Sequence, residues 1–121
     1  MKTVADPEVL RSLKERLAAL RPDTPRRWGT LTPHELLCHL ADATEMVTCA
    51  RPSPMHDPRA EGTRPSQFEK DRARLLEAMD ALAAADGSLE PSHGLFGDMS
   101  ARDWQRWSYR HTDYHLRQFG L

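Results

Sequence analysis

The sequence predicts an all-α protein, a single four-helix bundle spanning residues 1–121. Four segments carry apolar residues at helical spacing, and each opens on a helix-capping signal. No run of strand length alternates apolar with polar residues. The length, 121 residues, is that of one ordinary domain.

Helix 1 is expected over about residues 7–20. Asp6 is a good N-cap, Pro7 suits the first helical position, and Leu10, Leu13, Leu17 and Leu20 make one apolar stripe. Arg21-Pro22 ends it, because the residue before a proline is pushed out of the helical region. Helix 2, over 32–50, has the clearest start: Thr32-Pro33-His34-Glu35 is a capping box with proline at its first position. Leu36, Leu40, Ala43 and Val47 mark its buried face, with Leu37 and Met46 beside them. Residues 51–65 hold four prolines and a glycine and read as an extended loop. That loop can span about 50 Å, whereas helix 2 is only about 27 Å long. It can therefore cross the whole bundle, and a simple up-down-up-down order is not required. Helix 3, over 66–85, opens on a second box, Ser66-Gln67-Phe68-Glu69, and stops at Gly87. Its inner residues are Phe68, Leu75, Leu76, Met79, Leu82 and Ala83. Helix 4, over 100–118, is capped by Ser100 with Asp103 at the third position, and Gly120 follows as its C-cap. Trp104, Trp107, Ser108, His111, Tyr114, His115 and Gln118 fall on its inward half.

Composition narrows the function classes. Seventeen Lys and Arg against 18 Asp and Glu leave the net charge near zero, and no segment is a basic block. Binding to nucleic acid or to an anionic membrane has no electrostatic support. The start, Met1-Lys2-Thr3-Val4-Ala5-Asp6-Pro7, lacks the apolar stretch of a signal peptide, and no apolar run reaches the ~18–20 residues of a membrane span. A cytoplasmic location follows as the expectation. On one helix, Cys38 and Cys49 would stand roughly 16 Å apart, too far to bridge. They read as free buried thiols in a reducing compartment. The 39% apolar share makes for a small core, which a homodimer burying one helical face would supplement.

The sharpest chemical signal is a set of three histidines. His111 and His115 lie at i and i+4, so they share one face of helix 4, a turn apart. Two imidazoles so placed can close on one metal ion if a third ligand comes from a facing helix, and His39 on helix 2 is the candidate. Depth along the bundle gives a check. His39 lies roughly 10 Å below the start of helix 2, and the midpoint of His111 and His115 lies roughly 8 Å from the end of helix 4. If helices 2 and 4 run antiparallel, all three rings fall at one level; if parallel, the levels differ by roughly 8 Å. An antiparallel 2/4 pair with a long 2–3 crossover satisfies both constraints. The plain alternatives stand beside this. A lone His-x-x-x-His on an amphipathic helix is usually not a metal site, and His39 among Leu36, Leu37 and Leu40 can be a core histidine with a hydrogen-bond partner.

The remaining candidates are weaker. His34 sits some 140° round from His39 and reads as solvated. Cys38 is about 100° from His39 and points elsewhere. His56 falls in the proline-rich loop. His93 precedes Gly94-Leu95-Phe96-Gly97, a loop able to fold over a bundle end and line a site. Gln118, one heptad past His111, and Glu35, one turn before His39, can hold hydrogen bonds to the ligands, although the capping box already accounts for Glu35. Trp104 and Trp107 can wall a pocket, with core packing as their default role.

At these residues the sequence resembles the DinB/YfiT-like superfamily of metal-dependent enzymes. Within it, the likeness is to a small branch that carries Thr-Pro-x-x-x-x-x-His on the second helix, a His-x-x-Phe-Gly loop, and a Tyr-x-His-x-x-x-His-Leu-Arg-Gln-Phe-Gly ending. Here these are Thr32-Pro33 with His39, His93 through Gly97, and Tyr109 through Gly120. Helices 1 and 3 match in pattern only. The resemblance implies a four-helix bundle with one crossover and antiparallel helices 2 and 4. It also implies a divalent metal, nickel or zinc with iron or manganese as alternatives, on His39, His111 and His115. Some relatives are thiol-dependent transferases or isomerases. This chain is shorter than many members of that superfamily and its crossover is brief beside theirs, which bears on a thiol-cofactor pocket more than on the metal. Histidine-only ligation suits zinc, nickel, copper or ferrous iron better than magnesium or calcium. Three neutral nitrogens leave coordination positions open, so the expected activity is transfer or hydrolysis on a small-molecule substrate. The competing expectation is a non-catalytic, dimeric bundle with a structural metal or none, its fourth ligand being Gln118 or Cys38.

Overall fold

The computed structural model describes residues 1–48, 62–86 and 99–121. Among these residues there are four α-helices and no strand: α1 (Pro7–Ala19), α2 (Pro33–Val47), α3 (Phe68–Ala83) and α4 (Ala101–Arg117). The all-α, helical-bundle expectation holds, and the element order is the expected one. Three helix starts are capped as anticipated. Asp6 accepts from the Glu8 N–H at 2.9 Å. Thr32 and Glu35 form a reciprocal box at 3.1 and 2.9 Å, and Ser100 and Asp103 form another at 3.2 and 3.1 Å.

The box expected at Ser66 does not form. α3 begins at Phe68, and its N-cap, Gln67, makes no side-chain cap bond. The Ser66 N–H instead donates to Asp71 Oδ2 at 3.1 Å, while Glu69 turns to Arg72. The reason is tertiary: Asp71 is already held by His34 across the helix pair, and an anchored carboxylate is the stronger acceptor. α2 stops at Val47, short of the expected 50. Cys49, most of the proline-rich loop including His56, and the whole segment from Gly87 through His93 to Gly97 lie outside the described residues.

Helix ends are closed by long-range donors. Arg72 donates to the Leu17 carbonyl and, at 2.8 Å, to that of Leu20, satisfying the end of α1. Gln105 Nε2 does the same for α3, reaching the Leu82 and Ala85 carbonyls at 2.9 Å each. Gly120 adopts φ 75°, and the Leu121 N–H to Leu116 and Gly120 N–H to Arg117 bonds, both 3.1 Å, close α4 as a Schellman motif.

The core joins Leu13, Leu17, Leu36, Leu40, Leu75, Met79, Leu82, Trp104 and Leu116. Each such side chain contributes about 1.5–3 kcal/mol by leaving water. α2 is buried on most sides and packs most extensively on α3. It carries a fully buried carboxylate, Asp42, which the sequence does not advertise. Arg74 Nη2 pairs with it at 2.6 Å and also binds Glu45. The Thr63 N–H and hydroxyl both donate to Asp42 at 2.7 Å, which straps the segment before α3 across α2.

α4 is rotated from the expected orientation. It buries Ala101, Trp104, Gln105, Ser108, Thr112 and Leu116. The histidines sit on the flank of that stripe, half-buried, and Tyr114 is 46% exposed rather than inside. Tyr114 packs edge-on to Trp28, and the Arg27 N–H donates to the Gln118 carbonyl at 2.7 Å. The segment leading into α2 thus lies against the end of α4. No helix among the described residues is long and apolar enough to cross a membrane.

Candidate metal centre

α2 and α4 bring together three rings that are remote in sequence. His39 Nε2 stands 3.2 Å from His111 Nε2. Ring centroids are 5.0 Å apart for His39–His111 and 4.8 Å for both His39–His115 and His111–His115, all edge-to-face. Ligand nitrogens of the three lie within 4.8 Å of one another, and among the described residues no carboxylate or thiol joins the group. His115 Nδ1 lies 2.7 Å from Gln118 Oε1. Since the amide oxygen only accepts, the ring proton sits on Nδ1 and Nε2 keeps a free lone pair. Trp107 stacks on His111 at 4.6 Å between centroids.

The environment keeps these imidazoles neutral. Burial, reinforced by His115, pushes His39 down to about 4 against the pull of Asp42. Burial, with His115 and His39 beside it, takes His111 down to about 3. Burial also lowers His115, opposed by its bond to Gln118. Neutral imidazole is the ligating form, so nothing need be deprotonated for a cation to bind.

The residues present fit a divalent transition metal. Two nitrogens about 2.0–2.1 Å from one ion stand roughly 3.3 Å apart at the tetrahedral angle, close to the His39–His111 separation of 3.2 Å. Without a cation, that contact can be no more than a single N–H···N bond. His39 Nδ1 is buried with no hydrogen-bond partner. Its proton goes unmatched if Nε2 binds metal, a cost of about 1–3 kcal/mol against the ~10–16 kcal/mol of a structural zinc site.

Other predicted residues divide. Glu35 Oε1 is engaged by the Thr32 N–H, and Glu35 also lines a cavity beside His39. Trp104 is a core residue, edge-on to Trp107 at 5.4 Å, so Trp107 faces the histidines and Trp104 backs it. The cavity, about 370 Å³, is walled by Leu31, Glu35, Cys38, His39 and the strapped segment Thr63–Pro65.

A second polar group was not anticipated. His34 is not solvated: it is half-buried, edge-on to Phe68, with Nε2 2.5 Å from Asp71 Oδ2. Cys38 is a free, buried thiol. Burial, then the Asp71 and Asp42 carboxylates, push it up to about 12. Burial works against ionisation of Asp71, but the Ser66 N–H and His34 hold its carboxyl below the ordinary range. The i, i+4 spacing of His34 and Cys38 was the available sequence signal, and it lacked a visible partner on α3.

A family model described as protein of unknown function, DUF1569, matches residues 29–120, from the turn before α2 to the end of α4, and the chain belongs to that family. No curated protein and no solved structure matches the chain.

Proposed function

From membership in that family and from the three-histidine group, we propose that the chain is a metal-dependent enzyme of the DinB/YfiT-like kind. His39, His111 and His115 hold one divalent cation, nickel or zinc before iron or manganese. The observation that carries this is the approach of His39 Nε2 and His111 Nε2 to 3.2 Å across 72 residues of sequence, with His115 in the same group. In this reading α2 and α4 are antiparallel and the α2–α3 connection is a crossover. Its support is that Trp28 and Arg27, just before α2, lie against Tyr114 and Gln118 at the far end of α4.

Bound there, a divalent cation acts as a Lewis acid and lowers the pKa of a coordinated water or thiol. The side chains supply position. Gln118 fixes the tautomer of His115. Trp107 covers one face of His111 and keeps water from that side. His39 borders the cavity, where a small substrate binds, with Arg64 and Thr63 in the same lining as polar contacts. The reaction class is transfer or addition of a thiol or water to a small electrophile. A purely structural metal would need a fourth protein ligand, and the two candidates are engaged elsewhere: Cys38 with Asp71, Gln118 with His115.

The test is metal analysis of protein purified without an affinity tag, beside His39→Ala and His111→Ala. About one equivalent in the native chain and little in either variant is expected. Equal metal content in all three proteins would sink the reading.

A further inference from the structure

We propose that His34, Cys38 and Asp71 form a second cation site, built for a thiophilic divalent ion of the zinc class. It does not depend on the reading of the three-histidine group. His34 and Cys38 share one face of α2, a turn apart, and Asp71 reaches them from the first turn of α3. Their ligand atoms, one per residue, lie within 4.8 Å of one another, with His34 Nε2 and Asp71 Oδ2 at 2.5 Å. Cys38 is 2% exposed and Asp71 9%.

Charge favours occupation. A divalent ion with one thiolate, one carboxylate and one neutral imidazole is a neutral complex, the form a buried site tolerates best. Sulfur selects zinc-like ions over magnesium or calcium, and it is the softer donor that the all-imidazole group lacks. On binding, the Cys38 S–H proton leaves to solvent and the sulfur lone pair goes to the ion. His34 gives up the Nε2 proton that it donates to Asp71, takes its ring proton on Nδ1 from solvent and coordinates through Nε2, while Asp71 stays ionised and keeps the Ser66 N–H. Cys38 also borders the 370 Å³ cavity, which supplies an entry path and room for a fourth, exchangeable ligand. Such an ion would clamp α2 to α3, and the cavity would then have a ligand from each of two cation sites, Cys38 and His39, in its wall.

The experiment is titration of metal-free protein with zinc, and separately with cobalt(II), in a Cys49→Ser background that leaves Cys38 as the only thiol. Two equivalents of zinc and a near-ultraviolet sulfur-to-cobalt absorption are expected. Cys38→Ser should abolish the absorption and leave one equivalent. His39→Ala should keep the absorption, and His34→Ala should weaken the sulfur-bearing site tenfold or more. If the three-histidine reading alone fails, one equivalent remains and carries the absorption. Absence of the absorption in the Cys49→Ser protein, or its survival in Cys38→Ser, overturns the proposal.

Discussion

Removing the Gln118 amide probes how the three-histidine group is held. Its Oε1 accepts from His115 Nδ1 at 2.7 Å, the tautomer that leaves Nε2 bare. Gln118 is 7% exposed, so water does not take its place freely. A partner of this kind to a ligating histidine is worth about 10–100-fold in metal affinity, or roughly 1.4–2.8 kcal/mol. The amide is backed by Gly29, whose φ is 92° and where an added Cβ would stand 2.6 Å from Gln118 Nε2. Gly29→Ala should therefore push the amide off His115 and reproduce most of the loss seen in Gln118→Ala. In the double variant the Cβ meets no amide, so affinity should match Gln118→Ala alone. The assay is competition for zinc against a chromophoric chelator at one pH. Backbone strain from alanine at positive φ is common to both backgrounds and cancels in the cycle. Additive losses, or unchanged affinity in Gln118→Ala, would refute the reasoning.

Metal removal should lower thermal stability. An ion at about 100 times its Kd contributes about 2.7 kcal/mol, roughly 8–15 °C in Tm for a domain of this size, so a scan unchanged by a chelator would count against a bound metal. Asp42→Ala should cost about 3 kcal/mol or more in urea unfolding, because Arg74 loses its buried partner and Thr63 its acceptor; a loss below about 1 kcal/mol would mean water replaces the carboxylate. Asp103 gives a pH test. Bonds from the backbone and hydroxyl of Ser100 hold its carboxyl below the ordinary 3.8. A depressed carboxyl contributes stability that is present above that value and lost as pH falls through the folded-state pKa. Asp103→Asn should therefore shrink the difference in denaturant midpoint between pH about 4 and pH about 2, and an unchanged difference would assign the acid loss to other groups.

Much of this molecule is written in local signals. Asp6, Thr32 with Glu35, Ser100 with Asp103, and Gly120 mark helix ends by bonds that close within a few residues, so a linear reading finds them. The pairing of His111 with His115 is likewise set by helical pitch. Their meeting with His39 was reachable because depth along a helix is also arithmetic, and the structure puts the three rings at one level.

What tertiary packing decided is everything that depends on rotation about a helix axis or on a partner from another helix. α4 turned Thr112 and Leu116 to the core, leaving the histidines on the flank and Tyr114 exposed. Both faces are mixed in sequence, and the lower free energy belongs to whichever packs better on α1, α2 and α3. Ser66 failed as a cap because Asp71 is anchored by His34, which lies 37 residues before it in sequence. Asp42 is buried only because Arg74 and Thr63 converge on it. A charged residue reads as surface in one dimension, and its cost of burial is removed only by partners that the fold delivers.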